Sequence, residues 1–131
     1  MELTAHSQNR LMDTFAYWEV PKDYADPLYN YLVYGHSPGS FFTALLANDF
    51  MGAVAHSHPQ NTIAALKHTV GWMKDTLDFR MIGSYGSVND WLALDDAERR
   101  KILEDLRLIY TGEREVILIL KDEPTTAPIL W

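Results

Sequence analysis

The run FFTALLANDFMGAV, residues 41–54, constrains this chain more than any other stretch. On a helix, Phe41, Phe42, Leu45, Leu46, Phe50, Met51 and Val54 cover most of the circumference, and a helix apolar nearly all round must be enclosed by others. A membrane span needs about 20 residues, so the run predicts a central core helix instead. Ser37 as N-cap and Pro38 at the first helical position mark its start. Asn48 beside Asp49 at its centre breaks the pattern. Ala44, Ala47, Asn48, Gly52 and Ala55 form a strip of small side chains that lets a second helix approach closely, with Asn48 bonding the neighbour's backbone. Glycine within a helix costs roughly 1 kcal/mol relative to alanine, which close approach offsets. Asp49 can accept from a tyrosine, an indole or the free N–H groups of a helix start. A buried carboxylate without such donors is too costly to keep charged. The pair is therefore read as a structural polar core that holds helices in register, the other reading being the polar floor of a site.

The flanking segments carry similar signals. DPLYNYLVYG predicts a helix capped by Asp26, opened by Pro27 and stopped by a left-handed Gly35. SHPQNTIAALKHTVGWMKDTL predicts a helix that opens at Pro59 after Ser57 or His58. Its apolar stripe is Ile63, Leu66, Val70, Met73 and Leu77, with Lys67, Lys74 and Asp75 on the wet side. Ser87 can cap a short helix containing Val88, Trp91 and Leu92. Ile102, Leu106 and Ile109 line the next helix, which Thr111 and Gly112 end, and residues 3–18 place Leu11, Phe15 and Trp18 on one helical side. Residues 116–120 have the composition of a β-strand, with a stop at Pro124. One strand cannot satisfy its own backbone groups, so it pairs with residues 79–82 or with its counterpart in a second chain, and a homo-oligomer is expected. The expected architecture is mainly α: a compact helical bundle with one short C-terminal β-strand. It forms a single domain, 1–131, with a helical core at about 23–93 and a helix-strand extension at 94–124.

Length and charge narrow the function classes. A chain of 131 residues supports one core, and 47% apolar residues with four Trp exclude disorder. Eighteen acidic against eleven basic residues give a formal charge of -7, which repels phosphate backbones and disfavours direct nucleic-acid binding. The acidic residues are spread among helix ends and surface pairs, so no duplex-like double row supports a DNA mimic. Without cysteine there is no disulfide and no thiolate zinc site. The first twenty residues lack a basic segment followed by an apolar one, which predicts a cytoplasmic protein away from membranes.

Four groups of residues are candidates for chemistry. Asn48 and Asp49 come first, and His56 with His58 second. A His-x-His pair can bind a metal if Asp49 or His68 supplies a third donor, although imidazoles also suit the negative end of a helix dipole. Third is the turn GHSPGSFF, where Gly39 and Ser40 at a helix start can present N–H groups to an anion. Fourth is the stripe Asn61, Ala65, His68 and Trp72, in which an amide, an imidazole and an indole can hold a flat ring under a loop containing Tyr85. No nucleophile elbow, Walker motif or HExxH occurs, which weighs against an enzyme, and no cofactor is expected.

Residues 27–92 resemble a group of small phage proteins. These share a short aromatic helix, a P-G-[SG]-F-L start, A-V-L-x-N-D-L, then A-D-x-x-N, and W-G-S before a downstream Trp. The matching residues here are Pro38, Gly39, Ser40, Phe41, Asn48, Asp49, Asn61, Gly86, Ser87 and Trp91. His58 and Pro59 stand where the group usually has Ala-Asp, and Tyr85 replaces its Trp. The resemblance implies a phage or prophage accessory protein acting in the host cytoplasm. The expected function is non-enzymatic binding, in counter-defence or host takeover, of a host protein or a small nucleotide signal. A nucleotide would sit with its phosphate on Gly39 and Ser40 and its base near Asn61, His68, Trp72 and Tyr85. The alternatives are a metal-dependent hydrolase using His56, His58 and Asp49, and an acidic DNA mimic.

Overall fold

The computed structural model describes residues 1–58 and 61–111. Among them the chain forms seven helices and no strand: α1 (Ala5–Tyr17), α2 (Lys22–Tyr34), α3 (Ser40–Leu46), α4 (Phe50–His56), α5 (Ile63–Thr76), α6 (Tyr85–Ala93) and α7 (Asp96–Asp105). The mainly helical expectation holds. The strand expected at 116–120 lies outside the described residues. Its proposed partner, residues 79–82, is a turn and not a strand. There the Asp78 carboxylate accepts from the Arg80 backbone N–H at 3.0 Å and from its guanidinium at 2.7 Å, while Met81 and Ile82 donate back to the Asp78 carbonyl. Among the described residues no helix is long and apolar enough to cross a membrane.

Side-chain caps decide where most helices begin. Thr4, Asp49, Thr62, Ser84 and Asp95 each accept from the backbone N–H three residues on, opening α1, α4, α5, α6 and α7. The proline signals are displaced from these starts. Helix α2 opens after Pro21, so Pro27 lies inside it, where the missing N–H leaves only one carbonyl without its usual donor. Helix α3 starts after Gly39 and not at Pro38, α5 after Thr62 and not at Pro59, and α6 after Ser84 and not Ser87. Proline tolerates a first turn, but a correctly spaced oxygen acceptor fixes it. Gly35 does close α2 in the left-handed region, at φ 66°.

Leu11 and Phe15 of α1, Leu28, Tyr31 and Leu32 of α2, Trp72 of α5, Trp91 of α6 and Leu103 of α7 belong to one hydrophobic core. The core thus takes in α1 and α7 as well as the 23–93 stretch. Three of its large side chains have their polar atoms paired, while the Tyr24 hydroxyl is buried without a partner. Trp72 Nε1 donates to Thr14 Oγ1 at 2.9 Å, Trp91 Nε1 to the Tyr31 carbonyl at 2.8 Å, and Tyr31 Oη to the Met81 carbonyl at 2.7 Å. A buried donor left unmet costs about 1–3 kcal/mol, so these bonds set the register of α1, α2, α5 and α6. Phe15 stacks on Trp72 at 4.4 Å between centroids. Arg99 of α7 is also enclosed, 5% exposed, and donates to the Leu94 carbonyl and the Asp96 carboxylate. It lies against Gly35, where an added Cβ would stand 2.6 Å from the guanidinium.

Helix α5 keeps Leu66, Met73 and Leu77 of its expected stripe on the core and Lys67, Lys74 and Asp75 exposed, but its buried face is shifted toward Trp72. Thr69, Trp72 and Met73 face inward, while Ile63 is 78% exposed and Val70 also meets solvent. One indole buries more apolar area than Ile63 or Val70, and Gly71 opens the space for a second. A Cβ on Gly71 would lie 2.6 Å from the Trp18 ring, whose Nε1 donates to Asp75 at 2.9 Å. Gly71→Ala is therefore expected to cost about 1–3 kcal/mol through overpacking. Gly86→Ala, also in a helix, brings its methyl no nearer than 3.6 Å to Ser84 Oγ and is expected to gain up to about 1 kcal/mol from helix propensity. Urea unfolding of the two variants measures both, and effects of the same sign would contradict the close approach of Trp18.

Candidate functional site

The apolar run does not form one helix. Asn48 adopts φ 63°, in the left-handed region, which asparagine tolerates better than most residues. Its N–H donates to the Leu45 carbonyl at 3.2 Å, and that of Asp49 to the Ala44 carbonyl at 2.9 Å, the paired bonds of a Schellman stop. Asp49 then opens α4, its Oδ1 accepting from the Gly52 N–H at 2.9 Å. A Cβ on Gly52 would collide with that carboxylate, so glycine leaves the space for the cap. The adjacent amide and carboxylate are thus a stop followed at once by a start. The expectation of an enclosed polar core is corrected: Asn48 is exposed and Asp49 half-buried. Asp49 nevertheless has the donors foreseen for it, a tyrosine and a helix start.

That tyrosine is Tyr85, the first residue of α6, whose Oη donates to Asp49 Oδ2 at 2.6 Å. The Gly83 N–H adds a bond of 2.8 Å to the Leu46 carbonyl. Together they fasten the α3–α4 elbow to the loop before α6. The turn redirects the second half of the run outward, leaving Phe50 73%, Met51 81% and Val54 50% exposed. Phe50 lines a groove of about 490 Å³ together with Leu45, Val70, Met73 and Ile82, with Asp49 and Lys74 at polar positions. The central helix expected at 41–54 is therefore replaced by a bend that displays apolar surface.

The residues expected to hold a nucleotide are not gathered into one slot. Trp72 is fully buried under Phe15 and Thr14, and Tyr85 stands on Asp49. His68 Nε2 lies 4.0 Å from Glu19 at a solvated edge. Gly39, at φ 91°, precedes the seven-residue α3 that Ser40 opens. Asn61 belongs to a separate cleft, where His58 joins Asp23 and Tyr24. His56 also lines this region, with Phe41 and Phe42. Among the described residues no three His, Asp or Glu side chains are grouped to hold a metal ion, so His56, His58 and Asp49 do not form the triad of the hydrolase reading. A helix start at Asp26 leaves Tyr24 outside the expected helix, whereas α2 begins at Lys22 and buries it. The stripe Tyr24, Leu28 and Tyr31, spaced by four and three, is the signal that would have found it.

The hydrogen bond from Tyr85, then that from the Gly52 N–H, holds the Asp49 carboxyl below its ordinary value of 3.8. A lowered folded value means that the stabilisation is complete above the unfolded value and lost as pH falls through the folded one. Protection of the α4 amides against exchange is therefore expected to persist at pH 4 and to fall at lower pH. In Tyr85→Phe the Asp49 carboxyl is expected to titrate nearer 3.8. Carbon-detected NMR titration reads both, and an unmoved Asp49 titration would show that Tyr85 does not hold it.

No family model matches the chain, and no curated protein or solved structure matches it either.

Proposed function

We propose that the chain is a non-enzymatic binding protein that takes an apolar segment of a partner protein into the groove beside the α3–α4 elbow. The observation that carries this reading is the exposed Phe50 in the lining of an apolar groove, with Met51 and Val54 exposed on the same short helix. Large apolar side chains grouped at a surface mark interaction sites, and a groove between helices suits the apolar face of an amphipathic helix. The formal charge of -7 favours a partner segment flanked by lysine or arginine. A protein partner is preferred to a nucleotide because Trp72 and Tyr85 are engaged elsewhere and no slot for a base joins them. The resemblance to small phage proteins supplies the setting, in which the partner is a host protein and its capture serves counter-defence or host takeover.

Amphipathic peptides of equal hydrophobicity with basic or acidic flanks test the reading by NMR titration. The basic peptide is expected to perturb Leu45, Phe50, Val70, Met73 and Ile82, and to bind less tightly at high salt. Phe50→Ser, at an exposed position, is expected to leave the fold intact and weaken binding about tenfold or more. Equal binding of the acidic peptide, or perturbation of another face, would refute it. Concentration-dependent broadening of the same residues without peptide would assign the groove to a second copy of the chain instead.

A further inference from the structure

We propose that α4 is a hinged jaw of the groove, which opens when the helix of α3 continues through Asn48 and closes when the elbow forms. The way α4 is attached points to this. Of its seven residues only Ala53 is buried, while Phe50, Met51 and Val54 stand largely in solvent, so little apolar contact holds it to the rest of the fold. Its tie to α6 is the bond from Tyr85 Oη to Asp49 Oδ2, which lies in solvent. Among the described residues this is the one side-chain hydrogen bond from α4 or its cap to a helix other than α3. The Gly83 N–H holds the Leu46 carbonyl, on the α3 side of the bend, and does not restrain α4.

The backbone has two ways through residue 48. The bent form holds Asn48 at φ 63°, where every residue but glycine sits at a cost. It offsets that cost with the paired bonds of the stop, the cap on Gly52 and the Tyr85 hydroxyl. The continuous form relieves Asn48 and replaces those bonds with helical ones between residues four apart. Six residues, 57–62, separate α4 from α5. Extended, they reach about 20 Å, against about 10 Å for the length of α4, so α4 can swing while α5 stays in the core. Phe50 of α4 and Val70 of α5 are both exposed and both line the groove. Straightening at Asn48 re-aims Phe50 and opens that side. Resting on the groove as the partner site, the hinge admits the apolar segment in the continuous form and holds it when Tyr85 regains Asp49.

NMR relaxation dispersion on the full chain tests the hinge, because it reads exchange on the microsecond to millisecond scale. The backbone of residues 48–49 and the methyls of Ala53 and Val54 report on α4, and the methyls of Leu28 and Leu103 on the core. Asn48→Ala is expected to raise the population of the continuous form about tenfold, since alanine is disfavoured at positive φ and favoured in a helix. Asn48→Gly is expected to lower it severalfold, for the opposite reasons. Tyr85→Phe is expected to raise it severalfold by removing the tie to α6. In Asn48→Ala the carbon shifts of residues 47–49 are expected to move toward helical values. Exchange absent from all three variants, effects of the same sign for alanine and glycine at 48, or equal exchange at Leu28 and Leu103 would overturn the hinge. The basic amphipathic peptide is expected to return Asn48→Ala to the bent form, and binding that leaves its population unchanged would overturn the jaw. Exchange as described with no peptide bound in the groove would instead sink the binding reading and keep the hinge.

Discussion

Helices of seven residues are well below the length that holds by itself in water, and α3 and α4 are both of that length. What holds them is the elbow between them. The left-handed Asn48 satisfies the last carbonyls of one helix, and the Asp49 carboxylate satisfies an N–H at the start of the next. The Tyr85 hydroxyl and the Gly83 N–H then tie both to a loop that the core already fixes through Tyr31 and Met81. Had residues 41–54 continued as a single enclosed helix, Phe50 and Met51 would be core side chains and there would be no groove.

Both surfaces described above are built on α3. Phe41 and Phe42 stand at the Tyr24 cleft, and Leu45 at the groove, within two turns of one another. Their placement follows from the single choice of where the chain stops being helical after Leu46. An exposed amide and a half-buried carboxylate thereby decide where apolar surface appears.

The helical class and most of the elements were legible because apolar spacing records which residues face inward. The elbow was legible too, but through local rules: asparagine suits a left-handed stop, aspartate suits a helix start, and glycine at Gly52 leaves room for the cap. Reading the run by hydrophobicity alone gave more weight to Phe50 and Met51 than to those signals. Helix α5 shows a related difficulty. Counting apolar residues equally puts Ile63 and Val70 on the face with Leu66, Met73 and Leu77, whereas the larger area of Trp72 shifts that face enough to leave the first two outside. Among the candidate site residues, Asn61 lines a cleft and Tyr85 braces the elbow. Trp72 belongs to the core, because its partners Thr14 and Phe15 lie far away in sequence and no local pattern announces them.

The enclosure of Arg99 against Gly35 links two distant positions in the chain. A side chain at 35 would invade the guanidinium and would also strain a backbone at φ 66°, while shortening Arg99 would take its donor from the Leu94 carbonyl and leave Asp96 with the N-terminal ammonium alone. Neither position is free to drift alone. Divergent versions of this fold must either keep the glycine and arginine together or exchange them as a unit, so joint variation at these two places is an evolutionary signature of the packing between α2 and α7.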